Sequence, residues 1–161
     1  KLDTENLILA EQRTDIVRAT SETIMDLFLD VDHIPTVHKG VYDSIGITDI
    51  DNIVWTYYNN GSIQTVPGNA VWIAIYPNTM IELQQGSVFI TVAIDIDDKL
   101  SKVHIFKYKN NNDYNYRVNE TVWETAWSQD KTQAELIVRR NTINLETQKQ
   151  HFRNWQNGSI V

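Results

Sequence analysis

Apolar and polar positions change rhythm several times along this chain, and each change marks an element. Over residues 5–18, Leu7, Leu9, Ile16 and Val17 stand among Glu11, Arg13, Asp15 and Arg18, the mixture of a strand or strand pair with one wet face. A short helix follows, with Thr20 or Ser21 as its cap, Glu22 in its first turn and Ile24, Leu27 and Phe28 on one face. Pro35 is expected to stop it. From Val41 the pattern turns to short β-rich runs, at 41–47, 53–58, 63–66, 71–76, 80–83, 88–94 and 103–108. They are separated by Asp51-Asn52, Asn59-Asn60-Gly61, Pro67-Gly68, Pro77-Asn78, Gln85-Gly86 and Asp97-Asp98, all turn formers. Strands in such close succession predict an antiparallel sheet. Helical period returns over 114–141, and a last amphipathic helix is expected over 144–157.

The stripe of the long helix runs through Trp123, Trp127, Ala134, Ile137 and Val138, and Asp130 falls on the same line. An ionised carboxylate on a buried face needs a partner, and no cation sits one turn away on that stripe. A metal would serve, and so would a hydrogen bond from a neighbouring Trp or Tyr. Lys131, Glu135 and Arg139, by contrast, recur every four residues on the opposite side and read as a solvated row.

Composition narrows the classes. A chain of 161 residues, 42% hydrophobic and 22% charged, is read as one globular domain spanning 1–161. Its formal charge of -7 and pI near 5.0 argue against nucleic-acid partners and against an anionic membrane surface. There is no cysteine, so disulfides, thiolate zinc sites, cysteine nucleophiles and any iron–sulfur cluster held by these residues are excluded. No targeting segment stands out, and a cytoplasmic location is expected.

The candidate chemistry lies where the first helix ends. Asp30, His33 and His38 fall within nine positions, and a break at Pro35 is expected to turn both rings toward one point. Two neutral imidazoles and one carboxylate make the ligand set of a mononuclear non-haem iron(II) site with open positions, although zinc accepts the same donors. Other acids have simpler readings: Asp95, Asp97 and Asp98 at a hairpin turn, Glu146 at a helix start. His104 and His151 are read as structural.

The spacing Asp30-x-x-His33-x-x-x-x-His38 resembles the iron-binding motif in the catalytic domain of Rieske-type non-haem iron oxygenases, the ring-hydroxylating family. Val71-Trp-Ile-Ala-Ile-Tyr-Pro-Asn78 and the Thr79-Met-Ile-Glu82 that follows are similar to a strand, turn and strand of those domains. Gln129-Asp130-Lys131, with Glu135 beyond, is similar to the helix bearing the family's carboxylate ligand, and residues 145–155 to its closing helix.

The resemblance implies an α+β, START-like helix-grip fold, with an antiparallel sheet packed against a long C-terminal helix. It implies Fe(II) held by His33, His38 and Asp130, a small hydrophobic substrate, aromatic or not, hydroxylated or dealkylated with O2, and a homotrimer. Asp30 would accept the free ring N–H of a ligand histidine and bridge to a Rieske histidine of the neighbouring subunit. The [2Fe-2S] Rieske domain is absent from these residues, so electrons must come from a Rieske domain, ferredoxin or reductase outside them, and a catalytic-domain fragment is expected. The interval from His38 to Asp130 is shorter than is usual in the family, which implies a pared-down sheet. Two rivals share the fold: a module binding a hydrophobic ligand without metal, and a cyclase using one His–Asp pair as acid and base.

Overall fold

A computed structural model describes residues 6–47, 50–67, 70–111 and 113–140. Strand β1 (Ile8–Val17) leads into helix α1 (Ser21–Leu29), a 3-10 turn (Val31–His33), the one-turn helix α2 (Ile34–Val37) and a second 3-10 turn (Tyr42–Ile45). Strands β2 (Val54–Tyr58), β3 (Gly61–Val66), β4 (Ala70–Ile75), β5 (Thr79–Gln84), β6 (Ser87–Asp97) and β7 (Leu100–Lys109) follow, and then helix α3 (Asp113–Arg140).

The seven strands form one antiparallel sheet in the order β1-β7-β6-β5-β4-β3-β2. Each strand from β2 to β7 pairs with the next through a short connection, which is what closely spaced turn residues dictate. Strand β1 closes the far edge by pairing with β7 along its length, from Ile8 opposite Lys109 to Val17 opposite Ser101. Gly61 opens β3 at a close backbone approach: a Cβ there would lie 2.1 Å from the carbonyl oxygen of Ala74.

One face of the sheet is covered by α1 and α3. Strand alternation places Trp72, Met80, Glu82, Phe89, Val103 and Ile105 on that covered face, while Ile94, Ile96 and Val54 are exposed. On α3 the buried positions include Tyr116, Trp123, Trp127, Asp130, Ala134 and Ile137, the expected stripe extended toward the N-terminus. Phe89, Trp123 and Trp127 stack in series, with ring centroids 5.5 and 6.2 Å apart. Burial of each such ring stabilises the fold by about 1.5–3 kcal/mol and fixes α3 across the sheet.

The α+β class and the sheet under a long helix are as expected from the chain's pattern. Two local expectations differ. Residues 41–47 form no strand: Tyr42–Ile45 is a 3-10 turn closed by Gly46 at φ 78, a left-handed conformation that a continuing strand does not take. Helix α1 ends at Leu29 rather than at Pro35. Pro35 instead lies in the first turn of α2, where its missing N–H costs nothing. The helix expected at 144–157, with Glu146 and His151, lies outside the described residues, as does the Arg139 side chain.

Candidate metal centre

The Thr20 hydroxyl accepts from the Thr23 backbone N–H at 3.2 Å and starts α1. Asp30 ends it: its backbone, at φ -85 and ψ 86, leaves the helical region, and its Oδ1 accepts from the Asp32 N–H at 3.2 Å to open the next turn. His33 and His38 then flank the single turn of α2, one immediately before it and one immediately after. Thr36 donates its hydroxyl to the His33 carbonyl at 2.9 Å, and the His38 N–H bonds the Ile34 carbonyl at 2.9 Å, so this turn is fixed at both ends. The rings meet edge to face, with centroids 4.7 Å apart.

Asp130 reaches the same point from α3. Its Oδ1 lies 3.2 Å from His33 Nε2 and 2.9 Å from His38 Nε2, and the two Nε2 atoms are 2.9 Å apart. All three groups are largely withdrawn from solvent. The Trp partners that Asp130 was weighed against are engaged elsewhere: Trp123 Nε1 donates to Glu82 Oε1 and Trp127 Nε1 to Asp15 Oδ2, each at 2.8 Å.

The other side of each imidazole is also specified. Gln129 Oε1 lies 2.7 Å from His38 Nδ1. An amide oxygen only accepts, so that nitrogen carries a proton, and in the neutral ring Nε2 would be the atom left to offer its lone pair to a metal. His33 Nδ1 faces Asp30, whose carboxylate is 3.9 Å away, too far for the direct hydrogen bond expected from the sequence. Burial opposes charging of His33, but the hydrogen bond to Asp130 and the charges of Asp130 and Asp30 outweigh it, and its pKa is raised. Burial likewise disfavours ionised Asp130, and the bonds to both histidines overcome it, so its pKa is lowered.

These donors fit a divalent metal. Three mutually cis ligands at about 2.1 Å from an ion stand about 3.0 Å from one another, whereas tetrahedral ligands at that distance stand about 3.4 Å apart. The separations of 2.9, 2.9 and 3.2 Å are hydrogen-bond distances and are also short enough for one ion to reach all three donors.

A cavity adjoins the cluster. Its volume is about 30 Å³. Beyond the three donors its walls include Phe28, Tyr42, Trp72, Glu82, Trp123 and Trp127. Trp72, on β4, is the strand indole of this wall. Burial pushes the Glu82 carboxyl up to about 7, with the Trp123 hydrogen bond pulling the other way. The indole N–H of Trp72 has no acceptor among the described residues, and neither amide atom of Gln64 or Gln84, on the same sheet face, has a partner there.

Sequence reasoning left Gln129 and Glu82 out of the site. Gln129 was legible as the residue preceding a buried Asp. Glu82 had the plainer signal of a carboxylate on the inward phase of an otherwise apolar strand. His104 is structural, with Nδ1 2.9 Å from the Thr14 hydroxyl. Asp95 does more than fill a turn: it accepts from the Ser21 N–H at 2.5 Å and from the Ser101 hydroxyl at 2.9 Å, tying α1 to the sheet.

No family model matches the chain, and no curated protein matches it in sequence. Solved structures do. The quaternary ammonium Rieske monooxygenase CntA with L-carnitine aligns with TM-score 0.73 and 17% identity over 86% of this chain and 40% of that one. The same enzyme with an inhibitor aligns with TM-score 0.70 and 18% identity over 83% and 39%. NdmA of Pseudomonas putida CBB5 gives TM-score 0.61 and 15% identity over 84% and 43%. The chain thus spans about two-fifths of the length of these proteins. Its seven-stranded antiparallel sheet under one long helix has the fold of a Rieske oxygenase catalytic domain.

Proposed function

We propose that this chain is the catalytic part of a Rieske-type non-haem iron oxygenase, in which His33, His38 and Asp130 hold Fe(II). One observation carries the reading: three donor atoms from α3 and the two ends of α2 converge at 2.9–3.2 Å, with the Nδ1 of His38 bonded to Gln129 and that of His33 facing Asp30. Bound Fe(II) would supply the activation of O2. The chain's own residues position and exclude: Gln129 fixes the His38 tautomer, the aromatic walls keep water from the reacting face, and α2 sets the angle between the rings.

Asp30, partly exposed at the rim, is the entry point for electrons from a Rieske cluster carried outside the described residues, through a Rieske domain, ferredoxin or reductase. A quaternary ammonium Rieske monooxygenase of this fold is described with inter-subunit electron transfer, which supports a ring of subunits, a homotrimer in our reading. The substrate is small and hydrophobic, and it is hydroxylated or dealkylated; the solved neighbours hold carnitine, γ-butyrobetaine, caffeine or theobromine. Among the described residues no helix is long and apolar enough to cross a membrane.

Anaerobic loading with Fe(II), desalting and metal analysis test the proposal. Wild type is expected to retain one iron per chain and His33→Ala to lose it. No iron in either would replace this reading with a metal-free pocket of the same fold, and equal retention in both would remove His33 from the metal site.

A further inference from the structure

A second and much larger cavity, of about 410 Å³, lies where α3 begins. Its described walls come from three elements: the 3-10 turn at 42–45 with Gly46 and Ile47 behind it, the end of β5, and the first two turns of α3. It shares no described lining residue with the cavity at the metal donors. Asn119, on its α3 wall, stands about 16 Å along the helix axis from Asp130.

Gln84 is the residue that neither the sheet nor the metal centre accounts for. It ends β5 on the covered face, lines this cavity and is 2% exposed, and neither its amide oxygen nor its amide nitrogen has a partner among the described residues. A buried amide is ordinarily bonded on both sides, because an unpaired donor or acceptor keeps its full desolvation cost. Asn119 is already committed: its Nδ2 donates to the Gln85 carbonyl at 3.0 Å and to Ser87 Oγ at 3.1 Å, which holds the β5–β6 turn against α3. The wall around Gln84 is thus fixed by the fold while its amide stays unbonded.

The rest of the lining selects a class of partner. No Lys, Arg, Asp or Glu is among the described lining residues, so a full charge would enter without a counter-ion. Ile45, Ile47 and Val118 supply apolar wall, and the ring of Tyr114, 76% exposed, adds a flat apolar surface. Gly46 adds room, since a Cβ built on it would meet no atom within 4 Å. The Gln84 amide calls for a donor and an acceptor side by side in one plane. A primary carboxamide has both and can pair with it head to tail, whereas a ketone or a carboxylate only accepts.

We propose that this cavity is a second binding site, for a small uncharged ligand in which a primary carboxamide is carried on a flat apolar group. Gln84 pairs with the carboxamide, and Ile45, Ile47, Val118 and Tyr114 enclose the apolar part. The site does not depend on the oxygenase reading.

The test uses the full 161-residue chain without metal. Three probes of similar shape are titrated and followed by backbone amide NMR shifts: benzamide, acetophenone, which lacks the N–H donors, and benzoate, which is charged and only accepts. Benzamide is expected to bind wild type about tenfold more tightly than either of the others, and to move the Gly46 and Asn119 signals. Gln84→Met, which keeps the bulk and removes the amide, should bring benzamide down to the affinity of acetophenone and leave acetophenone unchanged. Val118→Trp, which fills the cavity, should abolish binding of all three. Equal affinities in wild type, no benzamide binding, shifts confined to residues outside this cavity, a preference undiminished in Gln84→Met, or binding unimpaired in Val118→Trp would each overturn the proposal. Should Gln84→Met fail to fold, the wild-type comparison and Val118→Trp still decide.

Discussion

Helix α3 carries two clusters of buried charge, and they are built on opposite plans. Near its N-terminal half, Lys107 projects from β7 with its side chain 1% exposed, and its Nζ meets Glu11 at 2.8 Å, Glu120 at 3.0 Å and Glu124. Arg13 joins them, with both terminal nitrogens on Glu124 and one also on Glu11. Every carboxylate there touches a cation that the chain itself supplies, and the result clamps β1 and β7 to α3. Farther along, Asp130, His33 and His38 bring three electron-pair donors together with no Lys or Arg among them. In our reading the chain supplies the cation of the first cluster, which holds elements together, and Fe(II) would be the cation of the second.

The sharpest way to break this comparison is to delete one member at each end. Asp130→Ala is expected to abolish iron retention, measured by metal analysis, while circular dichroism and the thermal midpoint stay close to wild type. Lys107→Met should do the reverse: it takes one cation from three partly exposed carboxylates, of which Glu11 and Glu124 keep Arg13, costs about 3 kcal/mol in chemical denaturation, and leaves iron bound to the folded fraction. A Lys107 variant that lost iron while folded would show that the clusters are not separable.

Glu82 offers a test by pH, on metal-free protein. Its carboxyl is harder to ionise when folded, with a pKa of about 7 against 4.5 unfolded. Its protonated form therefore favours the folded state fully below pH 4.5, and that advantage is lost as pH rises through 7. Relative to Glu82→Gln, wild type should lose up to about 3 kcal/mol of unfolding free energy between pH 4 and 8. Parallel stability profiles for the two proteins would mean that Glu82 is not buried as described.

Smaller effects should come from residues that act through the ligands. Gln129→Leu removes the acceptor on His38 Nδ1 and is expected to weaken Fe(II) binding by about 10–100-fold in competition with a chelator, with stoichiometry intact at saturation. Asp30→Asn should change iron affinity least, since the carboxylate stands 3.9 Å from His33, and should instead slow substrate turnover when a Rieske electron donor is supplied. An Asn variant that turned over as fast as wild type would remove Asp30 from the electron path.

Much of the fold could be read locally. Six of the seven expected β runs are strands, because paired turn residues and period-2 alternation are properties of a few consecutive positions. Residues 41–47 failed for the same reason: Val41, Ile45 and Ile47 suit a strand by composition, and only Gly46 in a left-handed turn decides otherwise. Pro35 misled because proline both stops helices and starts them, and it was Asp30, with its side chain bonded to the Asp32 N–H, that ended α1.

The candidate site divides along the same line. By itself the sequence determined which donors exist and where they fall in the pattern: two histidines on either side of Pro35, and an acid on the apolar stripe of a long helix. Side-chain phase follows from helix and strand periods, so it needs no knowledge of distant partners. Tertiary structure decided which atoms face one another. The convergence of Asp130 on both Nε2 atoms, the Gln129 bond to His38 and the seating of Glu82 among Trp72, Trp123 and Trp127 all depend on how α3 crosses the sheet. That crossing is fixed by packing between residues far apart in the chain, where no local pattern reaches.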